Sequence, residues 1–146
     1  MRHLPSTDQL SFDDLMEIAA NALQIPIELL RANVCVFRAQ AALGAPFVRI
    51  YGKDVFKDPV KRAVICALLM IRWHPFLAGN TKVAAWCLRE MLVRSHFIWL
   101  HPEEDAEVIM ELLERVEAET ISDAVVLRAV RRRVRLSTGL GDGSMA

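Results

Sequence analysis

His74-Pro75-Phe76-Leu77-Ala78-Gly79-Asn80-Thr81-Lys82 lies between two strongly apolar runs, residues 62–73 before it and 83–93 after it. Runs of that length and composition predict two helices buried on most faces, joined by this loop. The loop is laid out like an anion site. Gly79 lets backbone approach a ligand closely. A helix starting near Asn80 or Thr81 offers unpaired N–H groups and the positive end of its dipole. Lys82 adds a mobile charge, and His74 stands as a base on the other side of the loop.

Working outward towards the N-terminus, Asp58-Pro59 reads as the start of the first central helix, with Asp as cap and Pro at its first position. Before it, residues 47–56 break the helical period: Val48 and Ile50 alternate with Arg49 and Tyr51, and Gly52 turns the chain. That pattern predicts a short hairpin or extended flap. Ser11-Phe12-Asp13-Asp14 is a helix start with a hydroxyl cap and acids in its first turn, opening a helix over residues 12–23. Pro26 suits the first turn of the next, whose apolar face carries Leu29, Leu30, Val34 and Phe37 and which Gly44 and Pro46 end.

Working towards the C-terminus, residues 95–101 hold Phe97, Ile98, Trp99 and Leu100 and read as an apolar connector. Pro102 opens a further helix with Glu103, Glu104 and Asp105 complementing its dipole and Val108, Ile109, Leu112, Leu113 and Val116 as its stripe. Ser122-Asp123 caps a last helix with Val126, Val130 and Val134 inward. The expected fold is all-α: a helical bundle over residues 1–136 with one β-hairpin or flap, and a glycine-bearing tail at 137–146 that frays.

Composition bounds the function. The chain has 146 residues, 53% hydrophobic and 25% charged, with formal net charge zero. That is a globular composition, neither disordered nor nucleic-acid-coating. The longest uncharged apolar run, residues 63–71, falls well short of the roughly 20 residues a bilayer span needs. The first residues lack the apolar core of a signal peptide. Cys35, Cys66 and Cys87 show no metal-ligand spacing and sit in apolar sequence, so they read as buried, reduced thiols of a cytoplasmic protein. Trp73, Trp86 and Trp99 read as core rather than as a stacking platform. Arg128 and Arg131-Arg132-Arg133 with Arg135 read as cations suited to a helix C-terminus, not a nucleic-acid surface. His96 and His101 have no partners at metal spacing.

The nine-residue loop resembles the signature of the Fic/Doc family, H-x-F-x-(D/E)-(G/A)-N-(K/G)-R, and most closely its Doc-like branch. His74, Phe76, Gly79 and Asn80 match it; Ala78 stands at the acidic position, Thr81 at the Lys, and Lys82 at the closing Arg. The helix around residues 10–20 and the Ala45-Pro46…Tyr51-Gly52 segment also look like the family's opening helix and flap, so the resemblance covers roughly residues 10–134.

The resemblance implies a transferase that moves a phosphoryl or nucleotidyl group from ATP or another NTP to a protein hydroxyl. His74 is then the catalytic base, Gly79, Asn80, Thr81 and Lys82 bind the anion, and Pro75 and Phe76 shape the loop. Arg49, Ile50, Tyr51 and Lys53 form a flap that docks the target, and a small antitoxin protein is the expected partner. Mg²⁺ is the doubtful element, because Ala78 has no ligand atom where the family's carboxylate holds the metal, and no other metal ligands are identified. Lys82 keeps charge but lacks the guanidinium fork, while Thr81 keeps only a hydroxyl. Two other readings stand beside this one: a pseudoenzyme that binds a partner, and an enzyme recruited to metal-independent small-molecule chemistry.

Overall fold

The computed structural model describes residues 8–137, and in that range the chain is predominantly helical. Its axis is the pair α4 (Pro59–Trp73) and α5 (Asn80–Arg94), which make the most extensive helix contact in the molecule. Asp58 caps α4 by accepting a hydrogen bond from the Val60 N–H at 3.0 Å, and Pro59 occupies the first turn, where its missing N–H is no loss. Ala63, Val64, Cys66, Ala67, Met70 and Ile71 on α4 meet Val83, Ala84, Cys87, Leu88, Met91 and Leu92 of α5 in one core, all almost fully buried. Each of the larger side chains contributes about 1.5–3 kcal/mol by leaving water.

The other helices cover this pair. α1 (Phe12–Leu23) begins in a reciprocal capping box: Ser11 Oγ accepts from the Asp14 N–H and Asp14 Oδ2 accepts from the Ser11 N–H, both at 2.9 Å. Arg94 at the end of α5 reaches Asp14 at 3.1 Å and Glu90 at 2.9 Å, tying the two helices together. α2 (Ile27–Asn33) and α3 (Val36–Gly44) follow, then a short 3-10 turn (Ala45–Phe47). On the other side lie α6 (Pro102–Glu117), burying Ile109, Leu113 and Val116, and α7 (Asp123–Arg133), burying Val126 and Val130.

The segment before α4 is the predicted hairpin. β1 (Arg49–Ile50) pairs antiparallel with β2 (Lys53–Asp54), and Tyr51 and Gly52 between them both have positive φ, 53° and 76°. Two such residues make the turn whose twist suits a two-residue hairpin. Its base is pinned by Arg62, which donates to the Phe56 and Lys57 carbonyls at 3.1 and 3.0 Å, lies 5.2 Å over the Phe47 ring, and pairs with the buried Asp8 at 3.0 Å.

Several expectations are corrected. The helix expected from Pro26 to Gly44 is two helices, because Val34 is extended and the Cys35 N–H donates to the Pro75 carbonyl at 2.8 Å instead of continuing a ladder. The break rotates the faces, leaving Leu29 and Phe37 exposed, Phe37 by 81%. Cys35 is exposed rather than buried. Trp73 and Trp86 are not core: they are 38% and 42% exposed, and Trp86 lines a cavity between α5 and α6. The connector at 95–101 contains a strand, β3 (Phe97–Trp99), antiparallel to β4 (Val134–Leu136). Val134 is therefore buried from a strand and not from the last helix. Ser122 precedes α7 but makes no side-chain cap bond. The arginine run is partly spent on packing, with Arg131 2.5 Å from Asp58 and Arg133 3.4 Å from the buried Asp105. Of the tail placed at 137–146, Ser137 is held by its N–H to the His96 carbonyl at 2.6 Å; the rest lies outside the described residues. Among the described residues no helix is long and apolar enough to cross a membrane.

The cysteines give a direct check on this packing. Burial pushes the Cys66 thiol up to about 12 and the Cys87 thiol well above its ordinary value, and the thiolate is the reactive form. A thiol reagent at mildly alkaline pH is expected to modify Cys35 quickly and to reach Cys66 and Cys87 only in denaturant. Rapid reaction of either buried thiol in the native chain would contradict the α4–α5 packing.

Candidate functional site

The loop between α4 and α5 is built by four residues, each in a role its chemistry fits. α4 ends at His74, whose backbone is left-handed (φ 49°, ψ 61°) and whose side chain is exposed. A non-glycine residue there costs about 1–2 kcal/mol, so the surrounding contacts must hold it. They do: Pro75 is buried and its carbonyl accepts from Cys35, and Phe76 is sealed in the core. Asn80 then closes the loop on itself. Its Oδ1 accepts from the Phe76 N–H and its Nδ2 donates to the Phe76 carbonyl, both at 2.9 Å, and the pair is buried.

Gly79 sits at φ 80°, and a Cβ placed on it would lie 2.4 Å from Leu23 Cδ2 on α1. Position 79 is thus reserved for glycine by its backbone, and a side chain there would also require the Leu23 methyls to move. Gly79→Ala is expected to cost about 1–3 kcal/mol, read as a lower urea midpoint; an unchanged midpoint would mean that Leu23 swings aside and the loop relaxes. The Gly79 carbonyl accepts from the Val83 N–H at 3.0 Å to start α5, and no side chain caps that start. Its first-turn N–H groups therefore have no intrahelical partner.

Around this start the sequence-derived residues divide. Thr81 is buried and its hydroxyl donates to Glu117 Oε1 at 2.6 Å, so it is bonded to a carboxylate of the protein itself. His74 opens onto a cavity of about 460 Å³ lined by Arg72, Glu117 and Glu119 together with Ile71, Val116 and Ile121. Arg72 is engaged there in a two-bond pair with Asp123, one bond at 3.0 Å. That pair holds the Asp123 carboxyl below its ordinary range and raises Arg72. The stability it lends is present above the ordinary carboxylate value and is lost as pH falls through the depressed one.

Lys82, one residue after Thr81, lines a different cavity between α5 and α6. Ala78 and Leu77 are exposed on the loop. The hairpin carries Arg49, Ile50, Tyr51 and Lys53 before the opposite end of α4 from the loop. Their base is fixed at Arg62 in the first turn of α4, and His74 is twelve residues on, about 18 Å along the helix. Among the described residues no group of three or more His, Cys, Asp or Glu is placed to hold a metal.

Glu117, Glu119 and Arg72 belong to the site and were not singled out in the sequence. One signal was available for Glu117: it is the last residue of α6, where an acid opposes the helix dipole. Such a placement asks for a local partner, and Thr81 at the positive start of α5 supplies it.

Compared with known protein families, with curated proteins and with solved structures, the chain shows no match.

Proposed function

We propose that the chain is a Fic/Doc-type transferase that moves a phosphoryl or nucleotidyl group from an NTP to a protein hydroxyl. The observation that supports it is the loop itself: an exposed His74 held in a fixed left-handed cap beside an uncapped helix start. The positions that match the family signature are the ones that build this geometry, Phe76 and Asn80 by their bonds and Gly79 by its backbone. The His74 imidazole takes the proton of the target hydroxyl as its oxygen bonds to phosphorus. The P–O bond to the leaving diphosphate nucleotide or pyrophosphate then breaks. The α5 N–H groups face the negative charge of the donor, while Lys82, which the signature also marks as anion-binding, lines the other cavity.

The residues at the loop do not fit the Mg²⁺ that such enzymes use, since Ala78 offers no ligand atom, and no step is assigned to a metal. The target or a small antitoxin-like protein would dock on two exposed apolar side chains on and beside the loop. Those are Leu77 on the loop and Phe37 on α3, whose start is tied to Pro75; they are 83% and 81% exposed.

One observation favours a second reading, a binding protein without catalysis: the Glu117 carboxylate lies against Thr81 at the helix start where a phosphate would bind. Both readings are tested by incubating the chain with ATP labelled at the α or the γ phosphate and a whole-cell protein extract. Label carried to protein, and lost in His74→Ala, supports the transferase and tells which group moves. Absence of transfer removes the transferase, and absence of saturable ATP binding as well favours the second reading, in which Glu117 excludes phosphate from the helix start.

A further inference from the structure

The cavity that Lys82 lines is separate from the one at His74. It measures about 450 Å³, within the size range of small-molecule sites. Its walls are Trp86 from α5 and Trp99 from β3, with Ala106 and Met110 of α6 opposite and the buried Ile109 as its floor. A tryptophan left 42% exposed at the mouth of an apolar cavity is surface that a flat ring can cover.

The charges on this cavity are ordered. α5 places Lys82 and Arg89 on the same face, seven residues or about 10 Å apart along the axis. Neither has an ion pair or hydrogen bond among the described residues. The single acid on the lining is Glu103. Because Glu117, at the end of α6, meets Thr81 at the start of α5, the two helices run in opposite senses, and Glu103 lies at the Arg89 end. The Arg89 end is thus electrically balanced, and the Lys82 end, next to the positive start of α5, is not.

We propose that this cavity binds a small aromatic anion, its ring against Trp86 and Trp99 and its carboxylate or phosphate beside Lys82. Ring and charge are both required: the ring alone leaves Lys82 unneutralised, and the anion alone leaves the tryptophans in water. The inference stands apart from the His74 reading, and Ala106 and Arg89 belong to this cavity alone.

The test is calorimetric titration of the full chain with 1-naphthylacetate, its uncharged amide 1-naphthylacetamide, and AMP. Saturable one-to-one binding of naphthylacetate or AMP is expected, with the amide about tenfold weaker, since it forfeits a charge-assisted bond. AMP binding without naphthylacetate identifies the ligand class as nucleotides; the reverse identifies aromatic carboxylates. Ala106→Leu, at an exposed position, should intrude on the space for the ring and weaken binding strongly without lowering the melting temperature, and Trp86→Gln should weaken it as strongly by removing the stacking surface. Lys82→Gln should weaken binding about tenfold and Arg89→Gln far less. No binding of either anion in the millimolar range, equal binding of the amide, or binding untouched by both Ala106→Leu and Trp86→Gln would overturn the assignment.

Discussion

Asn80→Ala is expected to destabilise the chain by about 2–6 kcal/mol, because each of two buried backbone groups left without a partner costs about 1–3 kcal/mol. The two groups are the N–H and the carbonyl of Phe76, and in the native loop both are satisfied by one carboxamide. Water cannot easily replace it, since Asn80 and Phe76 are both buried. The effect is read as a fall in the urea midpoint with the slope unchanged, the sign of lost stability rather than of a changed unfolded state. Asn80→Asp separates the two bonds: it keeps the acceptor for the Phe76 N–H, loses the donor to the Phe76 carbonyl, and adds a charge that suits the start of α5. Because that charge is nearly buried and sets a carboxylate oxygen against the Phe76 carbonyl in place of the donor, its cost at neutral pH should match or exceed that of the alanine variant. A loss under about 0.5 kcal/mol for Asn80→Ala, the size of an ordinary surface change, would mean that the loop opens to solvent.

That asparagine shows what the sequence could and could not disclose. Two near-continuous apolar runs around a Gly-Asn pair predict α4, the loop and α5, because burial on most faces leaves no polar stripe. Ser11 with Asp14, and Asp58 with Pro59, likewise announce their helix starts through local bonds alone. The misses share one cause. The break at Val34 and Cys35 carries no Gly or Pro; it is imposed by the Pro75 carbonyl forty residues away in sequence. The pairing of β3 with β4, from Phe97 to Leu136, is equally non-local. Trp86 is apolar and was read as core, yet whether a face of a central helix is covered depends on where α6 lies. In the loop, the Gly-Asn turn is legible because Asn80 bonds Phe76 only four residues away. Glu117 was not, because it arrives from another helix.

Glu117 changes what to expect of the site, and the His74 and Ala78 variants show how. If the chain transfers phosphoryl or nucleotidyl groups, His74→Ala should lower the rate by about 100- to 10,000-fold, the usual contribution of a positioned base. Phosphate binding at the start of α5 should hardly change, because backbone N–H groups do the holding. Ala78→Asp adds a second carboxylate to a region that already contains Glu117. Without Mg²⁺ it should weaken phosphate or ATP binding by repulsion; with Mg²⁺ the cation can bridge carboxylate and phosphate, and binding should become metal-dependent. Glu117→Gln removes the resident negative charge while keeping an acceptor for the Thr81 hydroxyl, so it should strengthen phosphate binding in the absence of metal. Calorimetry of phosphate and ATP, with and without Mg²⁺, on these three variants reads all of this together. Retention of full transfer by His74→Ala would remove the catalytic assignment. Wild-type binding that depends strictly on Mg²⁺ would mean that a carboxylate other than the one missing at Ala78 holds the metal, and Glu117→Gln, which should then weaken binding, would show whether that carboxylate is Glu117.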